Sequence, residues 1–422
     1  MPSEFSFPTL LGISSFQLGL NAVRLFFNAI LLPLQLEEVL PAAQKSQMLG
    51  IIVGVSVGIG ILVNFFAGTM SDRNTSRRGK RTPFILMGAL FTIPFVLLSL
   101  FFPLSVLVIF TSYLGVQFFT NLSLGAYRPI LPEIVPEGDW DREASMQVMM
   151  ALIGSALAFL GAQWISDLEY SPVILISLAL LVTISTLFTL WGIKPFDRST
   201  TMAVSKPLKQ EAGEILQSNT QPNGYFWLVL AIFLIYMGLF SLQYFGIYYF
   251  EGVIHHSNPA KAMSITGLIN LVITMIATMM AHRISNIFGR RNLIIIVITL
   301  AALINLAFPF AHSLLGYILI AIPYTALIGL FSPVNLALTS ELVPKKATGK
   351  FLWFSYMAFG CSNVLSPLIG GFILSATDQA PGVNSFIALY VFSSIFFLAG
   401  SLIMLKVPKS IRRVAQVSRV IT

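Results

Sequence analysis

Twelve runs of predominantly apolar residues, each close to the roughly 20 that a helix needs to cross a bilayer, make up most of this 422-residue chain. They lie near residues 10–35, 48–70, 83–103, 105–129, 144–166 and 172–194, then 225–250, 262–283, 291–311, 314–338, 350–375 and 384–407. In hydrocarbon every backbone donor and acceptor must find its partner inside the structure, so segments of this length are read as helices. The composition agrees, with 56% apolar and 10% charged residues where a soluble domain has about 45–50% and about 25%. The surplus apolar surface must face lipid. That excludes soluble enzymes, DNA-binding modules and secreted disulfide scaffolds, and leaves an all-α membrane protein.

The runs fall into six plus six. Residues 195–224, rich in Ser, Thr, Pro, Lys and Glu, form the one long polar loop. The expected organisation is a six-helix bundle over 1–194, a cytoplasmic linker over 195–224, a second six-helix bundle over 225–407 and a basic tail over 408–422. If the even-to-odd loops, linker and tail share one side, that side holds 22 of the 25 Lys and Arg residues; the exceptions are Arg24, Lys45 and Lys261. Such an asymmetry places those loops and both termini in the cytoplasm. The net charge of +8 is thus a topological signal and implies no nucleic-acid partner. Lys409, Arg412, Arg413 and Arg419 read as a solvated tail, with contact to anionic lipid headgroups as the alternative.

The halves repeat. Gly79-Lys80-Arg81 recurs as Gly289-Arg290-Arg291 at an offset of 210, and Pro132-Glu133-Ile134-Val135-Pro136 as Ser340-Glu341-Leu342-Val343-Pro344 at 208. Two landmarks in near agreement predict duplicated, pseudo-symmetric bundles. Parallel halves of this kind place a substrate site between them near the midplane.

No metal, cofactor or enzymatic chemistry is indicated. Cys361 is the only cysteine, and the four histidines are scattered, with His255-His256 read as a solvated loop. No G-x-x-x-x-G-K-[ST] loop is present to support ATP-driven pumping. Near the start, Glu4 without a basic cluster predicts no cleavable signal peptide.

The most specific stretch runs from Gly68-Thr69-Met70-Ser71-Asp72-Arg73 to Arg77-Arg78-Gly79-Lys80-Arg81-Thr82-Pro83-Phe84. It reads as a tight cytoplasmic turn with an acid at a helix end and five cations behind it. Asp72 can accept hydrogen bonds at a neighbouring helix N-terminus, where the dipole favours an anion. This loop resembles the hallmark between helices two and three of the major facilitator superfamily. Its longer spacing, together with Tyr127-Arg128-Pro129-Ile130-Leu131-Pro132-Glu133, resembles the sucrose-transporter and glycoside–pentoside–hexuronide cation-symporter branch. The resemblance implies alternating access by two six-helix bundles, with gating residues Gly68, Asp72, Arg73, Arg78, Gly79 and Arg81. It also implies cytoplasmic charge pairs, Glu133 with Arg142 and Glu341 with Lys350, each nine residues apart. Glu137, Asp139, Asp141 and Glu143 are expected only to solvate the loop.

Within the first helix Gln17, Asn21, Arg24 and Asn28 sit at i, i+4, i+7 and i+11, on one face. Exposing Arg24 to lipid would cost about 2.5–3.5 kcal/mol on insertion scales, so the stripe is expected to face a cavity. Its guanidinium suits carboxylate, phosphate or sugar hydroxyls; a structural Arg tied to helix carbonyls is the bland alternative. Tyr113, Gln117 and Asn121 line the fourth helix at i, i+4 and i+8. Tyr236 and Gln243 share a face of the seventh, with Asn270 in the eighth, Tyr324 in the tenth, and Trp353, Tyr356 and Asn363 in the eleventh. As a set they form the candidate substrate-binding residues; singly, each is explained by interhelical hydrogen bonding or interfacial aromatics. Amides that bond hydroxyls and rings that stack on sugar faces suit a polyol-like solute.

The expectation is an integral membrane transporter, secondary active or facilitative, of a small polar organic solute, with a sugar or glycoside favoured. An organic-anion carrier or exchanger centred on Arg24 is the first alternative. A non-transporting lipid- or pigment-handling assembly factor is the second. Compact loops favour a prokaryotic cytoplasmic membrane, and the resemblance implies a monomer surrounded by lipid. No acid falls mid-helix in helices one, two, four, seven, eight or ten, so a co-transported proton or sodium ion lacks an obvious seat. Glu37, Glu38 and Glu133 are the fallback candidates.

Overall fold

A computed structural model of the chain describes residues 6–74, 76, 79–102, 104–136, 139–163, 171–194, 196, 224–342, 348–377 and 382–408. The described residues form twelve long helices. In the first half these are α1 (Phe7–Val39), α2 (Ala42–Asp72), α3 (Thr82–Phe101), α4 (Val106–Tyr127), α5 (Trp140–Ala162) and α6 (Ser171–Ile193). In the second they are α7 (Tyr225–Gln243), α8 (Pro259–Phe288), α9 (Arg290–Asn305), α10 (Leu314–Leu342), α11 (Thr348–Thr377) and α12 (Val383–Met404). Eleven, with α9 counted on to Phe310, are long and apolar enough to span a membrane; the twelfth, α3, has an apolar stretch over Thr82–Leu98 and contains Pro94.

The chain divides into two compact units, one of residues 1–206 with 246–248 and 257–265, the other of 207–245, 249–256 and 266–422. Within the first unit α1 packs on α5 and α6, and α3 packs on α4 and α6. Within the second, α7 packs on α11 and α12, and α9 packs on α10 and α12. Adding six to each helix number of the first set gives the second, so the sequence repeat is a repeat of packing. Each unit has its own apolar core. Leu10, Ile13, Phe16, Ile85, Tyr127 and Ile193 meet in the first, and Leu228, Ile235, Ile294, Ile298, Phe331 and Phe397 in the second. Large apolar side chains such as Leu62, Phe66, Leu180, Met279 and Leu319 point outward, as lipid-facing helices require.

Two boundaries depart from the sequence reading. α5 begins at Trp140, so Glu143 belongs to a helix, and both it and Asp139 are buried. Loop solvation is therefore the wrong role for those two acids; the side chains of Glu137 and Asp141 lie outside the described residues. α7 ends at Gln243, and a short helix, Gly246–Gly252, follows a break at Tyr244-Phe245. α10 runs unbroken through Pro323 and Pro333, and α11 through Pro367. Apart from Phe196 and Gly224, the linker lies outside the described residues, as do Arg78 and the tail from Lys409.

Candidate functional site

Helix α1 is built in pieces, Phe7–Ser14, Phe16–Phe26, a π-turn over Phe27–Leu31, and Leu32–Val39. The π-turn has a local cause. Pro33 has no N–H to give the Ala29 carbonyl and its ring crowds that oxygen, and the Leu32 N–H instead closes the wider loop to the Phe27 carbonyl. π-Turns inserted in α-helices are frequent at functional sites, and this one carries Asn28.

Gln17, Asn21, Arg24 and Asn28 are all half-buried, on the face their spacing predicted. The Asn21 amide donates to the Gln17 carbonyl at 2.8 Å and to Gln17 Oε1 at 3.1 Å. Asn28 joins a second group. Its Oδ1 accepts from the Tyr113 hydroxyl at 2.8 Å and from Gln117 Nε2 at 3.2 Å, and Gln117 Nε2 also lies 3.0 Å from the Tyr113 oxygen. Asn121 Nδ2 donates to the Gln117 carbonyl at 2.8 Å. Tyr113, Gln117 and Asn121 are buried on α4. The network thus joins one face of α1 to one face of α4, and it uses the Asn28 carbonyl oxygen while leaving its NH2 as a donor.

The second unit is less unified. Tyr244 donates to Asn363 Oδ1 at 2.7 Å, and Thr325 donates to Asn270 Oδ1 at 3.1 Å. Tyr236 is packed among Phe240, Phe331 and Phe359, with ring centroids 5.5, 5.8 and 4.8 Å away. Gln243, seven residues after Tyr236, is the last residue of α7 and is exposed. Tyr324 meets Phe308 edge to face at 5.4 Å, while Tyr356 is 59% exposed. Trp353 and Lys350 lie in α11, but their side chains fall outside the described ones.

The α2–α3 loop is the most strongly connected polar feature. Arg81, at the start of α3, is 1% exposed. Its guanidinium bonds Asp72 at the end of α2 and grips Glu133 with Nη2–Oε1 at 2.6 Å and Nε–Oε2 at 3.2 Å. Ser71 Oγ and the Gly68 carbonyl accept its remaining described contacts. Lys80 adds a contact to Glu133 at 3.0 Å and one to Asp72 at 3.5 Å. Burial pushes the Glu133 carboxyl up, but the hydrogen bonds and charges of Arg81 and Lys80 outweigh it and hold the group below the ordinary glutamate range. Gly79 turns the chain at φ 110°, and the Asn74 amide ties the loop by donating to the Lys80 carbonyl at 3.0 Å.

Glu133 is therefore paired with Arg81 and Lys80 and not, as the nine-residue spacing implied, with Arg142. Arg142 is exposed, its guanidinium 6.0 Å from the Phe7 ring centroid. The reason is geometric: α5 has already begun at Trp140, and Arg142 projects outward from its first turn. Glu341 likewise pairs with Arg290 at 3.0 Å. Arg73 is exposed, and a Cβ added at Gly68 would meet only the Gly125 carbonyl, at an ordinary 3.5 Å.

Here the repeat was more informative than the spacing. Lys80–Glu133 and Arg290–Glu341 occupy equivalent positions, and Gly79 and Gly289 both have positive φ. The position equivalent to Asp72 is His282, so the second unit lacks the acid at its helix end. Arg291, equivalent to Arg81, instead donates to the carbonyls of Met404 and Leu405 and caps α12.

The profile of the Major Facilitator Superfamily matches residues 10–352 and 269–419. No curated relative matches the chain in sequence. Among solved structures, a bacterial homologue of the human lysosomal transporter Spinster, in an inward-facing and unoccupied conformation, superposes with a TM-score of 0.72 at 14% identity, over 94% of this chain and 97% of that one. A D-xylose–proton symporter gives 0.69 at 18%, over 95% and 97%. The nucleoside transporter NupG gives 0.67 at 15%, over 94% and 98%.

Proposed function

Because the chain belongs to the major facilitator superfamily, we propose that it carries a small polar organic solute across a membrane by alternating access, with a sugar or glycoside as the favoured class. The observation that carries this reading is the polar network of Asn28, Tyr113, Gln117 and Asn121, set at a π-turn and continued along α1 by Arg24, Asn21 and Gln17. Amide donors and acceptors fixed by one another present a pre-organised surface to hydroxyls, which lowers the ordering cost of binding. Structural neighbours that move xylose or nucleosides are consistent with a hydroxylated solute. In the second unit Asn270, Asn363, Tyr236, Gln243, Tyr324, Trp353 and Tyr356 are the proposed substrate-binding residues. Gating is assigned to Asp72, Arg81 and Glu133 with Gly68, Arg73, Arg78 and Gly79, and to Glu341 with Arg290 and Lys350. The α2–α3 loop and both termini are placed on the cytoplasmic side, on the distribution of Lys and Arg.

One observation favours a second reading, an organic-anion carrier: Arg24 lies half-buried on the same face as the amides. Replacing its fork-shaped guanidinium by the point charge of lysine discriminates the two, since only bidentate recognition of an anion depends on that geometry.

The test is a thermal-stability screen of the purified protein against sugars, glycosides, carboxylates, phosphates and lipids. A ligand at about a hundred times its dissociation constant stabilises the fold by about 2.7 kcal/mol. Stabilisation by a sugar, lost in Asn28→Leu, supports the proposal. Stabilisation by an anion that is lost in Arg24→Lys moves the assignment to the carrier of anions, and stabilisation by lipids alone contradicts transport of a polar solute.

A further inference from the structure

Glu143, in the first turn of α5, is 0% exposed. Its Oε1 accepts from the Ser14 hydroxyl on α1 at 2.8 Å and from Gln147 Nε2, one turn along α5, at 3.3 Å. Its Oε2 is buried and has no hydrogen-bond partner among the described residues. Both donors are neutral. A carboxylate enclosed in this way loses its hydration without gaining a counter-ion, whereas a carboxylic acid carries no charge to desolvate.

The surrounding elements supply no cation to Glu143 among the described residues. On α1, Arg24 lies ten residues beyond Ser14, about 15 Å along the helix. On α4 the titratable neighbour is Tyr127, whose hydroxyl is already given to the Ile13 carbonyl at 3.0 Å. The short helix Ile130–Ile134 offers Glu133, held by Arg81 and Lys80. On its own helix, Arg142 lies over Phe7, and Asp139, at the N-cap, is an acid.

We propose that Glu143 is a reversible proton-binding site in the joint between α1 and α5, and the seat of the coupling ion of this transporter. Hydronium gives a proton to Oε2, breaking one of its own O–H bonds and leaving water, to form the neutral acid; the reverse transfer returns the proton to water. The site takes a proton and not sodium, because a metal cation needs several oxygens arranged around it, whereas the contacts found at this carboxylate are hydrogen bonds donated by one hydroxyl and one amide NH2. Release of the proton leaves an uncompensated charge between α1 and α5, which favours parting of the helices or entry of water. α1 also carries the polar face assigned to the solute, so protonation and solute binding act on one helix. The coupling half of the proposal rests on the transport reading; the proton site itself does not.

The experiment uses the full chain in lipid nanodiscs without solute, so that failure of the proton site and failure of the transport reading remain distinct. Infrared difference spectra are recorded across a pH titration for the protein, Glu143→Gln and Glu143→Asp. The expected result is one carboxylic-acid C=O band that disappears reversibly at alkaline pH, is absent in Glu143→Gln and shifts in frequency in Glu143→Asp. Hydrogen exchange at the alkaline end is expected to be faster around Ser14 and Gln147 in the protein than in Glu143→Gln at the same pH. Spectra of the protein and Glu143→Gln that match throughout would overturn the proposal. So would a band that persists over the whole range in which the protein stays folded, because a permanent proton couples nothing.

Discussion

Removing the Arg81 guanidinium tests the loop network more sharply than any other substitution. Arg81 is enclosed, yet its two acidic partners are open, Asp72 at 43% and Glu133 at 38% side-chain exposure. A hydrogen bond to a charged group contributes about 1.5–3 kcal/mol, and the two-point grip on Glu133 would sum to more were the acid enclosed. Water at the exposed carboxylate recovers part of that, and Lys80 stays within 3.0 Å. A coupling energy of about 1–3 kcal/mol between Arg81 and Glu133 follows, above the about 0–1 kcal/mol of an ordinary surface pair. It is measured by a double-mutant cycle of Arg81→Gln and Glu133→Gln, with unfolding followed in mixed micelles titrated with SDS. The parallel cycle of Arg142→Gln with Glu133→Gln is expected to lie within about 0.5 kcal/mol of zero. The pairing also dictates a pH dependence. The folded-state pKa of Glu133 is depressed, so its contribution is fully present above the unfolded value of about 4.3 and is lost as pH falls through the folded value. A larger coupling to Arg142 than to Arg81, or a coupling that survives strong acid, would refute the assignment.

Three further outcomes follow from the same geometry. A Cβ at Gly154 would stand 2.1 Å from the backbone carbonyl of Leu18; Gly154→Ala is expected to force α5 off α1 and cost about 1–3 kcal/mol in an unfolding titration. Gly79→Ala places a side chain at φ 110° and should cost about 1–3 kcal/mol of stability in the same unfolding titration. Tyr113→Phe takes a donor from Asn28 Oδ1 while keeping the ring, so ligand affinity is expected to fall by about 1 kcal/mol, or roughly fivefold, in calorimetric titration. A normal dissociation constant in that variant would remove Tyr113 from the site.

The helical architecture was legible because twenty-residue apolar runs admit little else in a bilayer, and the repeat was legible in two short motifs. The one-sided spacing on α1 was readable because a helix puts i, i+4 and i+7 on one face, and α1 is regular from Phe16 to Phe26. What spacing missed came from three physical sources. The π-turn at Phe27–Leu31 depends on a missing donor at Pro33, a cue present in the sequence but read only as part of an apolar run. The partner of Glu133 comes from 52 residues away, through packing of α3 beside α4, so a local nine-residue pattern pointed to the wrong cation. Glu143 sits in an acidic cluster that resembles a solvated loop, and only the approach of Ser14 from 129 residues away encloses it.

The central claim is that the α1–α4 polar network binds a solute that the protein moves across a membrane. Counterflow measures this most directly: purified protein in liposomes loaded with unlabelled solute takes up the same solute, labelled, from outside. The panel is glucose, xylose, sucrose, a nucleoside and a dicarboxylate. The account predicts labelled overshoot for at least one hydroxylated member, abolished by Asn28→Leu with Gln117→Leu in a variant that still elutes as a monodisperse, folded protein. Overshoot with none of the hydroxylated members, or overshoot that persists in the double variant, would contradict it.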